Sequence, residues 1–166
     1  VQRKHAYRYA GAIEAGYLLD EMYVEAIADG SHLPAELLQL IYKVKGPRRV
    51  CLVTDSMCAA GMPDGEYSLG GVPCIKENGV AKLDRSAFAG SVATTDMLVR
   101  TFCNLTGAPL YDVVRMTSLT PAEMLGIGTR TGSIQVGKAA DLLVFDEDVQ
   151  LKHIVVAGRT EFSTLQ

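Results

Sequence analysis

Val50-Cys51-Leu52-Val53-Thr54-Asp55-Ser56-Met57 is an apolar run that stops abruptly at a carboxylate. That is the pattern of a buried parallel strand whose carboxyl end opens at an active-site rim, where an Asp is placed for chemistry. Earlier in the chain Val24-Glu25-Ala26-Ile27-Ala28-Asp29-Gly30-Ser31-His32 does the same, a short strand ending in a polar cluster. The two strand ends present Asp55 and His32 to one rim. Between them Pro34 suits the first position of a helix, Leu37, Leu38, Ile41 and Tyr42 recur at helical spacing, and Gly46-Pro47 ends it. A helical stretch over 10–19 precedes the first strand, so the order is helix, strand, helix, strand with short connections, the grammar of a parallel α/β sheet.

After Asp55 the text changes. Ala59 to Gly65 reads as a loop, and Tyr67 to Leu69, Val72 to Lys76 and Val80 to Leu83 read as short strands joined at Gly70-Gly71 and Asn78-Gly79. This predicts an antiparallel excursion over the mouth of the sheet. Helical spacing resumes over 95–104, 110–117 and 121–125, the last with Thr120 as N-cap and Pro121 first. Strands return at 142–145 and near 151–156, with Gly158-Arg159 as a turn.

The 166 residues suffice for one domain, or one and part of another, and a hydrophobic content of 48% supports a buried core rather than disorder. Sixteen Lys and Arg against nineteen Asp and Glu, net charge -3, leave no basic footprint for nucleic acid or an anionic membrane. Cys51, Cys58, Cys74 and Cys103 lack CxxC spacing and are expected as free, mostly buried thiols. No apolar run is long enough to span a membrane and no leader is visible, so a cytoplasmic setting is expected. The chain opens without Met in what reads as the middle of a loop, and is expected to be the carboxyl-terminal portion of a longer protein.

Four groups could carry chemistry. Asp55 is either a catalytic carboxylate or a turn and cap residue. His32 either binds a ligand or satisfies local structure. Ala89-Gly90-Ser91 either cradles a ligand with backbone N–H and hydroxyl groups or caps the following helix. His5, with Arg3, Lys4 and Arg8, is either an anion site or a solvated basic face. His153, Gly132, Gly137 and a solvated Lys138 read as structural.

Ile27-Ala28-Asp29-Gly30-Ser31-His32-Leu33 and Leu52-Val53-Thr54-Asp55-Ser56-Met57 resemble the last two barrel strands of the N-acetylglucosamine-6-phosphate deacetylase family, within the amidohydrolase superfamily. Phe88-Ala89-Gly90-Ser91 and the stretch from Arg130 to Asp146 resemble it in the same order. The closing G-S-I-x-x-G-K-x-A-D-L pattern recurs across amidohydrolases, whereas A-D-G-x-H with T-D-S-M is closer to the deacetylases.

The resemblance implies the carboxyl-terminal part of a (β/α)8 barrel over residues 1–135, with a β-hairpin insertion near 66–84, and strands of a small β-sandwich domain over 136–166. It implies metal-assisted hydrolysis of an acetamide on a small phosphorylated amino sugar, with Asp55 as general acid and base. Asp29, Gly30, Ser31, His32, Ala89, Gly90 and Ser91 fall at substrate-binding positions. An Arg that holds the phosphate in the family falls on His5 here, with Arg8 as an alternative donor. The family's divalent metal, of the zinc or iron class, is held by a Glu and two His on earlier strands that nothing here matches, so no metal ligand and no independent hydrolysis are expected of this chain. A homo-oligomer is expected of the full-length form. The rival readings are another amidohydrolase, dihydroorotase-like or an amino-acid deacetylase, and a non-catalytic binding module.

Overall fold

The computed structural model describes residues 11–83 and 87–165. Helix α1 (Ala12–Leu18) leads into strand β1 (Val24–Ala26), and α2 (Ala35–Lys45) leads into β2 (Val50–Leu52). β1 and β2 pair in parallel, Val24 opposite Val50 and Ala26 opposite Leu52. The expected helix and first strand are therefore present but shorter than the sequence pattern. Pro34 is the cap residue of α2 rather than its first helical one, and Gly46 ends that helix with φ +64, a conformation open to glycine without steric cost.

The apolar spacing of α2 buries Leu38 and Ile41 against α3 (Thr95–Thr106), which contributes Leu98, Val99 and Phe102. α4 (Leu110–Thr117) adds Val113 and Met116, so three helices close over Val50, Leu52, Ala26 and Ala28. The Tyr42 hydroxyl donates to Asp112 Oδ2 at 2.5 Å and ties α2 to α4. That bond, with burial, pushes the phenol up to about 12. α5 (Leu119–Met124) begins earlier than its sequence suggests. Thr120 is not its cap but lies inside it, fully buried, with its hydroxyl donating to the Pro47 carbonyl at 2.6 Å. Pro121 is third in the helix, still within the turn whose N–H groups have no helical acceptor.

The predicted excursion is an antiparallel sheet of β3 (Gly65–Leu69), β4 (Val72–Glu77) and β5 (Val80–Lys82). Beneath it Met57, Ala59, Cys74, Ala81 and Ala89 form a second small core. The third sheet holds β6 (Leu142–Phe145), β7 (Leu151–Val156) and β8 (Arg159–Ser163), all antiparallel. It is fastened to the main core by Val149, 6% exposed, whose carbonyl accepts from Arg100 at 2.8 Å. Of the four cysteines, all free, Cys58 is exposed and Cys103 half-buried, so only Cys51 and Cys74 meet the expectation of burial. No helix among the described residues is long and apolar enough to cross a membrane.

Candidate active site

Asp55 follows the carboxyl end of β2 in a left-handed backbone, φ +49. Such a conformation is costly for most side chains and tolerated by Asp. Its carbonyl accepts the Ser91 N–H at 2.8 Å, and the Met57 N–H donates to the Ser91 carbonyl at 2.9 Å. Ser56 and Ser91 thus form a parallel bridge, and the segment after residue 87 runs beside the Asp55 segment. The Asp55 side chain is exposed and makes no hydrogen bond to a described residue.

The approach of the two segments explains Ala89-Gly90-Ser91. Gly90 has φ +74, and a Cβ there would stand 2.9 Å from the Asp55 carbonyl oxygen. Ser91 is 2% exposed, and its Oγ accepts the Ala93 N–H at 2.9 Å. The triplet does not cap α3, whose cap residue is Thr94. Its hydroxyl is turned inward, which leaves the backbone around Gly90 as the part that faces Asp55.

The second loop is organised by Asp29. Its Oδ1 accepts the N–H groups of Ser31 and His32, both at 2.9 Å, and its Oδ2 lies 2.8 Å from His32 Nδ1. Those two backbone N–H groups are therefore already committed to a carboxylate rather than open to an external anion. Burial, the largest single influence, pushes the Asp29 carboxyl up, but the hydrogen bonds from His32 and Ser31 outweigh it and hold it below the usual range. An ionised carboxylate only accepts, so Nδ1 carries a proton, and Nε2 points away with no hydrogen bond to a described residue.

Phe88 joins the loops, and sequence reasoning did not single it out. Its ring lies 4.5 Å from the His32 ring, tilted by 33°. Its sequence signal is its place at the head of the Phe88-Ala89-Gly90-Ser91 segment, of which only the last three residues were read as candidate site residues. The basic group, His5 and Arg8 with Arg3 and Lys4, lies outside the described residues. Lys138 is not merely solvated: its Nζ donates to Ser133 Oγ at 2.7 Å and to the Gly128 and Thr131 carbonyls. It closes the 128–138 loop upon itself. His153 lies in β7, with Nε2 3.4 Å from Thr160 Oγ1, remote in sequence from the rim.

Among the described residues no group of three or more His, Cys, Asp or Glu side chains could hold a metal ion. The two segments offer an exposed carboxylate, a histidine whose Nδ1 is held by Asp29 and whose Nε2 makes no hydrogen bond to a described residue, and a glycine-lined backbone beside the carboxylate.

The described residues make a mixed α/β fold with a parallel strand pair under helices, and the chain belongs to the amidohydrolase family, whose model matches residues 8–161. It is similar to the putative N-acetylgalactosamine-6-phosphate deacetylase of Escherichia coli K12, 36% identical over 92% of this chain and 91% of that protein. The N-acetylglucosamine-6-phosphate deacetylase of Vibrio furnissii is 35% identical over 94% of this chain and 39% of its own length. The solved N-acetylglucosamine-6-phosphate deacetylase of Thermotoga maritima superposes with a TM-score of 0.87 at 35% identity, covering 93% of this chain and 42% of that one. The chain thus spans most of the K12 protein and about two fifths of the other two. Members of the family generally use a divalent metal.

Proposed function

We propose that the Asp55 strand end, the Asp29–His32 loop and the segment 88–91 form the sugar-binding and proton-transferring part of a cytoplasmic deacetylase acting on N-acetylglucosamine 6-phosphate. The reaction adds water across the acetamide C–N bond and releases acetate and glucosamine 6-phosphate. The observation that carries the reading is the hydrogen bond from Ser91 N–H to the Asp55 carbonyl, which sets Ala89-Gly90-Ser91 beside the one carboxylate exposed at the end of β2.

Asp55 accepts a proton from the attacking water and returns it to the departing amine, since the first transfer charges it for the second. His32, fixed through Nδ1, presents Nε2 to a sugar oxygen or the phosphate, and Gly30 and Gly90 let backbone approach the sugar. His5 and Arg8 are the proposed phosphate donors. The described residues do not make a metal centre, so no step assigned to them passes through one. In a homo-oligomer of the relatives' full length, residues 1–135 would belong to the barrel and 136–166 to a small β-sandwich. The separate β6–β8 sheet supports that division.

The K12 relative favours a second substrate, the galactosamine epimer. Titrating the chain with glucosamine 6-phosphate, galactosamine 6-phosphate and unphosphorylated glucosamine tests the reading. Binding should require the phosphate and weaken in His32→Ala, and the preferred epimer names the sugar. Equal affinity for the unphosphorylated sugar, or a His32→Ala variant that binds normally, would overturn the assignment.

A further inference from the structure

We propose that Phe88 is the positioning residue of the His32 imidazole, and through it a determinant of affinity for the phosphorylated sugar. The proposal rests on the reading of His32 as a sugar ligand. Asp29 fixes one edge of the ring, with Nδ1 at 2.8 Å from Oδ2, but a single hydrogen bond leaves an imidazole free to swing about the line joining the two atoms. The Phe88 ring at 4.5 Å and 33° stands against a face and closes that motion. Edge and face together define where Nε2 points.

The backbone around Phe88 is held on both sides, which fixes the point from which the ring reaches His32. Phe88 bridges antiparallel to Lys82, the Leu83 N–H donates to the Ala87 carbonyl at 2.9 Å, and the Ala89 N–H donates to the Ala81 carbonyl at 2.9 Å. Ala89 is 1% exposed, while Phe88 itself remains 42% exposed. An aromatic so exposed contributes little to the core; its fixed backbone and its ring contact point to a role at the rim. Two residues further on comes Gly90, packed under Asp55. The same short segment therefore sets the carboxylate through its backbone and the imidazole through a side chain.

Phe88→Ala, Phe88→Tyr and His32→Gln, each in the 166-residue chain, test this with glucosamine 6-phosphate as probe. The His32 ring signals, assigned by their loss in His32→Gln, report the position directly. In Phe88→Ala they should lose their ring-current shift, and sugar phosphate affinity should fall roughly two- to tenfold, the range of an aromatic pair. Phe88→Tyr should restore both. Adding Phe88→Ala to His32→Gln should cost no further affinity, because the effect runs through the imidazole. His32 signals unmoved by Phe88→Ala would overturn the proposal, as would a full extra loss in the double variant, which would mean that Phe88 touches the sugar itself. A chain that binds no sugar phosphate, yet whose His32 signals move with Phe88→Ala, would refute the sugar reading of His32 and leave the positioning upheld.

Discussion

At the scale of single residues, Asp55 combines exposure, a strand end and a left-handed backbone. Asn tolerates that backbone as Asp does, so Asp55→Asn removes the basic oxygen without adding strain. In the complete enzyme kcat should fall by at least ~10², the usual worth of general acid and base catalysis, with the unfolding midpoint nearly unchanged. Near-normal turnover in the Asn variant would leave Asp55 as a turn residue. Asp29 makes a pH prediction. Its carboxyl is held below the usual range in the fold, so the stability it contributes is fully present above the unfolded value of about 4 and drains away as pH falls through the depressed folded value. Acid unfolding followed by circular dichroism should lose part of its pH dependence below about pH 4 in Asp29→Asn. These two residues were legible because each stands where an apolar strand stops. Phe88 was not, since its contact with His32 joins residues far apart in sequence and no local pattern records it.

At the scale of elements, the segment 87–91 behaves as a short extra strand laid beside Asp55, and Gly90 is where it would jam. An alanine there must adopt φ near +74 and place its Cβ 2.9 Å from the Asp55 carbonyl. Gly90→Ala should cost roughly 1–3 kcal/mol, read from denaturant midpoints, with a drop in sugar phosphate affinity as the two segments part. An unchanged midpoint would mean that the segments are not tightly joined. Helix and strand limits were otherwise largely readable: apolar spacing marked α2 and α3, and paired glycines or Asn-Gly marked the turns of the antiparallel sheet. Thr120 misled because Thr before Pro is a good cap signal, whereas its hydroxyl is taken by the Pro47 carbonyl in a contact that only the fold creates. β8 was missed because Arg159-Thr160-Glu161-Phe162-Ser163 is exposed throughout and alternates against nothing.

At the scale of the whole molecule, the helices and parallel strands make one continuous core, while the β6–β8 sheet keeps much apolar surface in view. Leu142, Leu143 and Val144 are 37%, 58% and 45% exposed, and Val156 and Phe162 are comparably open. The sequence told of apolar strands here but not that they lie uncovered, because hydropathy records what a residue prefers and not what it meets. β6 also stands at the end of its sheet order, so among the described residues its outer backbone is unpaired. An unpaired apolar edge is a template on which further strands can add. The consequence is colloidal: concentrated solutions of this chain should scatter light and precipitate at a rate set by β6, not by global unfolding. Leu143→Lys should raise the concentration at which scattering begins while moving stability by no more than about 0.5 kcal/mol, and unaltered scattering would place the sticking point elsewhere. Since the edge is present in the native state, lowering the temperature to protect the fold would do little for shelf life, whereas one charge on that strand would do much.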